Sequence, residues 1–192
     1  MDTSNLFEMA QLSEASYANL VDIVTRDELI LALSAENFSL TQASEFADHW
    51  SVAHHIPDTA SGFSATLFRS LDTNGRYVLA MRGTAGFMDI AATDVGDIVF
   101  DGIAIQQVID LYNYWQFLSA PVGTPYQVAS LVPVDLQNPP PFDETIRNSP
   151  GGLLYTVAFT LSDQFYPAGH DFALGQNITG DAIYIDVTGH SL

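Results

Sequence analysis

The chain has 192 residues, 47% of them hydrophobic and only 15% charged, with 23 acids against 5 bases for a formal charge of −18 at pH 7. That imbalance excludes nucleic acid as a partner, because no basic patch exists to displace counterions from phosphates, and it opposes docking on an anionic membrane. With no cysteine, disulfides, thiolate metal sites and cysteine nucleophiles are excluded as well.

The first twenty residues, MDTSNLFEMAQLSEASYANL, hold neither a basic n-region nor a continuous apolar run, so no signal peptide is expected. No stretch reaches the ~18 apolar residues of a membrane-spanning helix. The chain reads as soluble and acidic, cytoplasmic or else extracellular by a route without an N-terminal signal. An acidic surface suits high salt, calcium-rich surroundings or simple solubility, and the last needs no further assumption. The length fits one domain with a real core. Residues 1–192 are therefore read as a single domain, with a helical N-terminal region over 1–60 and an irregular insertion over 121–180.

Leu6, Met9, Ala10, Ser13, Tyr17 and Leu20 recur at helical spacing, which predicts an amphipathic helix over 5–20. A second short helix is expected over 27–33. Ser39 followed by Gln42 is a capping-box pattern that starts a helix through Phe46 and Trp50. His54 and His55 then lead through Pro57 into a loop. Next, GFSATLFRS and RYVLAMRGT flank LDTNG, two β-rich runs around Asn74-Gly75, a hairpin signature. Residues 88–101 are acidic and only partly periodic. From 103 to 118, Ile105, Val108, Ile109, Tyr112, Trp115 and Leu118 recur at three- and four-residue steps, the clearest helix in the chain. Seven prolines between Pro121 and Pro150 predict a long irregular excursion, a length often found in site covers and binding loops. LLYTVAFTL at 153–161 reads as a strand or short helix. A turn-rich stretch then feeds a final buried strand, Ile183 to Val187.

That strand ends in Gly189-His190-Ser191-Leu192. A nucleophilic serine is presented on a sharp strand-to-helix turn of pattern G-x-S-x-G, where small residues relieve the crowding of strand against helix. All of the pattern but its last glycine is present, and that glycine would fall past Leu192. Acyl transfer also needs backbone N–H donors aimed at the developing oxyanion. Leu192 supplies one, and Gly83-Thr84, after the strand Tyr77 to Met81, stands where the other is needed. The Thr84 hydroxyl adds a third.

These stretches, GFSATLFRS…RYVLAMRGT, then TDVGDI, then IYIDVTGHSL, resemble the class 3 lipase family of α/β-hydrolases, which takes in fungal-type triacylglycerol lipases and related bacterial extracellular lipases. The family pattern is a strand ending in [FM]-R-G-[ST], a nearby acidic helix, and a later strand ending in G-H-S-L-G-G. The order matches, with about a hundred residues between Thr84 and Ser191. The resemblance spans about 62–118 and 180–192 and thins across the first 50 residues and the proline-rich stretch. It implies an α/β-hydrolase fold, a mostly parallel sheet opened by an antiparallel hairpin, with the C-terminal part of the fold missing. It also implies Ser191 as nucleophile, Thr84 and Leu192 at the oxyanion, and His190 as a residue shaping the turn. No cofactor is implied, and the substrate is a lipid or other carboxylic ester.

In the family the triad aspartate and histidine follow the serine, so both are expected beyond residue 192, and the chain alone is expected to be inactive and prone to aggregation. His170-Asp171, His54 and His55 are upstream substitutes that nothing in the sequence brings to Ser191. Asp89, Asp94, Asp97 and Asp101 offer hard oxygen ligands for calcium, but the EF-hand spacing is absent and a solvated acidic face is preferred; Asp94 is also a partner for Arg82. Tyr112 and Trp115 are assigned to core packing. His54-His55 lacks a third metal ligand at a usual spacing. Asn177-Ile178-Thr179 fits a glycosylation acceptor, relevant only after secretion in a eukaryote. The alternative function is a non-catalytic acidic module, secreted or partner-binding, with vestigial hydrolase features. Oligomeric state is not legible from the sequence.

Overall fold

The computed structural model describes residues 3–73, 76–82, 105–120, 124–134, 145–147, 154–162 and 184–189. In chain order these form α1 (Thr3–Ala15), α2 (Arg26–Ser34), α3 (Leu40–His49), β1 (Trp50–Ile56), β2 (Ser64–Ser70), β3 (Arg76–Arg82), α4 (Ile105–Ser119), β4 (Gln127–Pro133), β5 (Thr145–Arg147), β6 (Leu154–Leu161) and β7 (Tyr184–Gly189). They fall into two compact units. One holds α1 to β3 together with β7, and the other holds α4 to β6.

In the first unit, two helices start on capping boxes. Thr25 Oγ1 accepts from the Glu28 N–H at 3.3 Å while Glu28 Oε2 accepts from the Thr25 N–H at 2.8 Å. Ser39 and Gln42 repeat the exchange at 3.3 and 3.1 Å, which satisfies donors that a helix start leaves without partners. The first helix stops at Ala15, short of Tyr17 and Leu20. There Ser16 Oγ donates to the Ser13 carbonyl at 2.6 Å, and the chain turns through Asp22 at φ 56°, a left-handed conformation that aspartate tolerates. α3 likewise ends at His49. Trp50 is already extended, at φ −131° and ψ 144°, and begins β1.

His54 and His55 therefore lie on a strand, where the sequence pattern alone expects a loop. The reason is tertiary: β1 pairs antiparallel with β2, Trp50 opposite Ser70 and Ile56 opposite Ala65, with a bulge between Val52 and His54 that breaks simple alternation. β2 pairs antiparallel with β3, as the hairpin pattern predicts, although Asn74-Gly75 lie outside the described residues. β3 pairs parallel with β7, Arg76 opposite Tyr184 and Met81 opposite Gly189, giving a mixed sheet of order β1-β2-β3-β7. Leu67, Phe68, Val78 and Leu79 are all buried, so β2 and β3 are covered on both faces. That explains the unbroken apolar run YVLAM, since a strand buried on both sides has no polar face to alternate with.

α1 packs on β3 and β7, and α2 packs on α3. Their apolar faces meet the sheet in a core that includes Leu12, Leu33, Phe46, Phe68 and Val78. Phe46 stands between Phe38 and Phe68, with centroids at 5.8 and 5.5 Å and ring planes near perpendicular, the edge-to-face geometry that aromatic quadrupoles favour.

In the second unit, β4, β6 and β5 form an antiparallel sheet in that order, and α4 packs on β4. The sequence suggests an irregular excursion over the proline-rich stretch, yet strands occupy 127–133 and 145–147 of it, while β6 at 154–161 takes the strand alternative expected for 153–161. Of this stretch's prolines among the described residues, Pro125 precedes β4 and Pro133 closes it, positions at a strand's ends where proline is tolerated. Asn113 joins helix to sheet, its amide donating to the Ala129 carbonyl at 2.9 Å and accepting from the Ala129 N–H at 2.7 Å. On α4 the deeply buried ring is Tyr114, whereas Tyr112 and Trp115, expected in the core, are half-buried. Tyr112 reaches past the core so that its hydroxyl can donate to Gln127 Oε1 at 2.7 Å.

Urea unfolding checks this account of the first unit. Phe68→Ala is expected to cost about 3–5 kcal/mol through the cavity left in a site with no exposure, and Ser39→Ala about 1 kcal/mol through the lost cap.

Candidate active site

The β3–β7 register decides what meets at one edge of the first unit's sheet. Both strands run in the same direction, so Arg82 and Gly189 end side by side, with Met81 opposite Gly189. A Cβ at position 189 would lie 3.3 Å from the Met81 carbonyl oxygen, tighter than ordinary contact, and glycine lets the two backbones approach. Thr188 Oγ1 donates to the Met9 carbonyl at 3.2 Å, pinning the strand to α1. The residues implicated by sequence, Thr84, Ser191 and Leu192, and with them His190, lie outside the described residues. So do Asp89, Asp94, Asp97, Asp101, His170, Asp171 and Asn177.

Around this edge stand contacts that the sequence does not reveal. Arg82, only 14% exposed, donates to Asp58, and its guanidinium carbon lies 5.8 Å from the Tyr17 ring centroid. Among the described residues Asp58 is the partner of Arg82, and the expected partner Asp94 lies outside them. Arg82 Nε is buried and has no partner among them. Behind it, His55 Nδ1 lies 2.8 Å from the Oγ1 of the fully buried Thr66. Burial pushes the His55 imidazole down to about 4, helped by His54 and Arg82 and opposed by Asp58. The imidazole is neutral at pH 7.

Neutrality alone does not make His55 a base for a group at the end of β7. The row His55, Thr66, Ala80, Thr188 runs straight across the four strands. At ~4.8 Å per strand that row separates His55 from β7 by about 14 Å, far beyond proton-transfer distance.

A second histidine carries the partner that a catalytic base needs. His49 Nδ1 and Asp72 Oδ2 are 2.6 Å apart. They flank the other end of the sheet, where Trp50 faces Ser70, and β3 and β7 begin at Arg76 and Tyr184. Five residue steps from Arg76 to Met81 amount to about 17 Å. The pair is thus at the wrong end to serve a nucleophile following Gly189. Residues 49 and 72 are 23 apart in sequence, and only β1–β2 pairing brings them together. No sequence motif signals it.

Among the described residues no group of three or more His, Asp or Glu converges as a metal ion would require. No helix among them is long and apolar enough to cross a membrane. Comparison of the chain with protein-family models, with curated proteins and with solved structures finds no match in any of the three.

The His55 environment makes stability depend on pH. An unfolded histidine titrates near 6.5 and the folded one near 4, so between these values only the unfolded chain takes up the proton. The stabilisation is complete above pH 6.5 and is lost as pH falls toward 4. Urea midpoints of wild type are expected to fall more steeply across that window than those of His55→Asn, with no difference in slope above pH 7. Parallel curves throughout would show that His55 is not held neutral.

Proposed function

We propose that the chain carries the nucleophile and the oxyanion-stabilising residues of a serine-dependent carboxylic ester hydrolase of the α/β-hydrolase type, acting on lipids such as triacylglycerols. The observation that carries this reading is the parallel register of β3 against β7, with Met81 opposite Gly189. Thr84 follows Arg82 by two residues, and Ser191 follows Gly189 by two. Each is thus within about 7 Å of chain from one of two adjacent strand ends. A nucleophile and an oxyanion donor have to flank one carbonyl at about 3 Å from each, and parallel neighbouring strands are a scaffold that offers this.

In this reading the Ser191 hydroxyl attacks the ester carbonyl, and the N–H of Leu192 with the N–H and hydroxyl of Thr84 takes up the developing negative charge. The acyl group passes to Ser191 and the alcohol leaves with a proton. Water then reverses the exchange and frees the acid. The base that removes the Ser191 proton and the carboxylate that orients it are assigned, by the resemblance to class 3 lipases, to chain following Ser191. The rival reading, a non-catalytic acidic module, draws on one observation: the His49–Asp72 pair stands at the far end of the sheet.

Hydrolysis of p-nitrophenyl butyrate and tributyrin by the product of the whole reading frame containing these residues tests the proposal. Ser191→Ala is expected to lower kcat by a factor on the order of 10^4 or more, and Thr84→Val by about 10^2. Turnover unaffected by Ser191→Ala, or no turnover from the whole product, would favour the acidic module.

A further inference from the structure

At the end of the sheet away from Met81 and Gly189, a cleft of about 290 Å³ opens beside α1, α3 and the start of β1. It is at the small end of the range for small-molecule sites. Its wall combines the rings of Phe7, Phe46 and Trp50 with the carboxylates of Glu45 and Asp72. Phe7 is 63% exposed, so an apolar surface is open to a ligand there. Asp72 is tied to His49, while Glu45 has no hydrogen bond or ion pair with any described residue.

Two residues of this wall, Trp50 and Glu8, already hold a flat cation from within the chain, Arg76, which does not itself line the cleft. The Arg76 guanidinium carbon lies 5.3 Å from the Trp50 ring centroid. Glu8, which also lines the cleft, accepts from both guanidinium ends at 3.0 Å. Aromatic faces attract cations through the ring quadrupole, and a planar, weakly hydrated cation stacks on a ring while pairing with a carboxylate. On the open side of the same cleft, Phe7 and Glu45 present the same two chemistries without an occupant from the described chain.

We propose that this cleft binds a small organic cation of the guanidinium or amidinium type, its charged end toward Glu45 and Asp72 and its apolar body against Phe7. An anion meets the Glu45 and Asp72 carboxylates in this wall and one imidazole, Glu8 being already paired with Arg76. A bare metal ion lacks a converging ligand set among the described residues. A purely apolar ligand leaves the Glu45 charge to be desolvated without compensation. The overall charge of −18 raises the local concentration of cations around the molecule. The inference is independent of ester hydrolysis, since it concerns the opposite end of the sheet and uses none of the residues assigned to that reaction.

Isothermal titration of the 192-residue chain with benzamidinium chloride, and in parallel with benzamide, its neutral counterpart of similar shape, tests it. Saturable one-to-one binding of benzamidinium is expected, about tenfold or more tighter than benzamide. Glu45→Gln and Phe7→Ala are each expected to weaken it about fivefold, with unfolding midpoints kept close to wild type, because both positions are exposed. Equal affinity for the two probes, absence of saturation, or unchanged affinity in both variants overturns the proposal.

Discussion

The parallel pairing of β3 with β7 is the constraint on which the rest of the first unit depends. It joins distant segments, whose Arg76 and Asp186 side chains meet across 110 positions of sequence, and it turns β3 from an edge into an interior strand. An interior strand can bury both faces, which is what Leu79 and Val78 do. It also sets the floor for α1, which lies over both strands and is tied to β7 by the Thr188–Met9 hydrogen bond. Contacts of such separation form late, because loop closure must precede any gain from pairing. The antiparallel β2–β3 pair and the capped helices are local, and they supply the surface onto which β7 docks.

Charge is used sparingly and in a consistent way. The chain has five arginines and no lysine, and three of the arginines hold parts of the fold together. Arg76 ties α1 through Glu8 to β7 through Asp186, and the Glu8 hydrogen bonds hold its guanidinium firmly in the charged form. Arg82 ties the end of β3 to Asp58, beyond β1. Arg26 ties α2 to α3 through Asp48 and Ser44. Of these, Arg76 and Arg82 are mostly buried, so their pairs are less screened than the exposed Arg26–Asp48 pair and should matter more. With 23 acids against five bases, most carboxylates have no arginine to pair with, and the excess gives the chain its charge of −18.

The two ends of the sheet carry different chemistry. At one end, two strand termini lie together, backed by an arginine–aspartate pair and a neutral, half-buried histidine. At the other, a cleft gathers aromatic rings, carboxylates and a histidine–aspartate pair. One β-strand length separates them, and no side chain among the described residues spans it. A histidine and a carboxylate in contact therefore say little about catalysis until the sheet register has fixed which end they occupy.

The sequence by itself determined what local chemistry controls. Capping boxes at Thr25 and Ser39 need only residues three apart, and the hairpin strands around 64–70 and 76–82 need only β-rich runs flanking a turn. The glycine at 189 and the arginine-glycine-threonine after β3 were legible as a motif, although Thr84, Ser191 and Leu192 fall outside the described residues. Tertiary structure decided the rest. His54 and His55 became strand residues because β2 supplied partners and a bulge. The proline-rich region yielded strands because β6 pairs with both β4 and β5, and its described prolines, Pro125 and Pro133, stand just before β4 and at its end. Arg82 with Asp58, and His49 with Asp72, are pairs of residues more than twenty positions apart. No local pattern encodes such pairs, since what joins them is the register of neighbouring strands, and register is set only when the apolar faces of those strands are buried together.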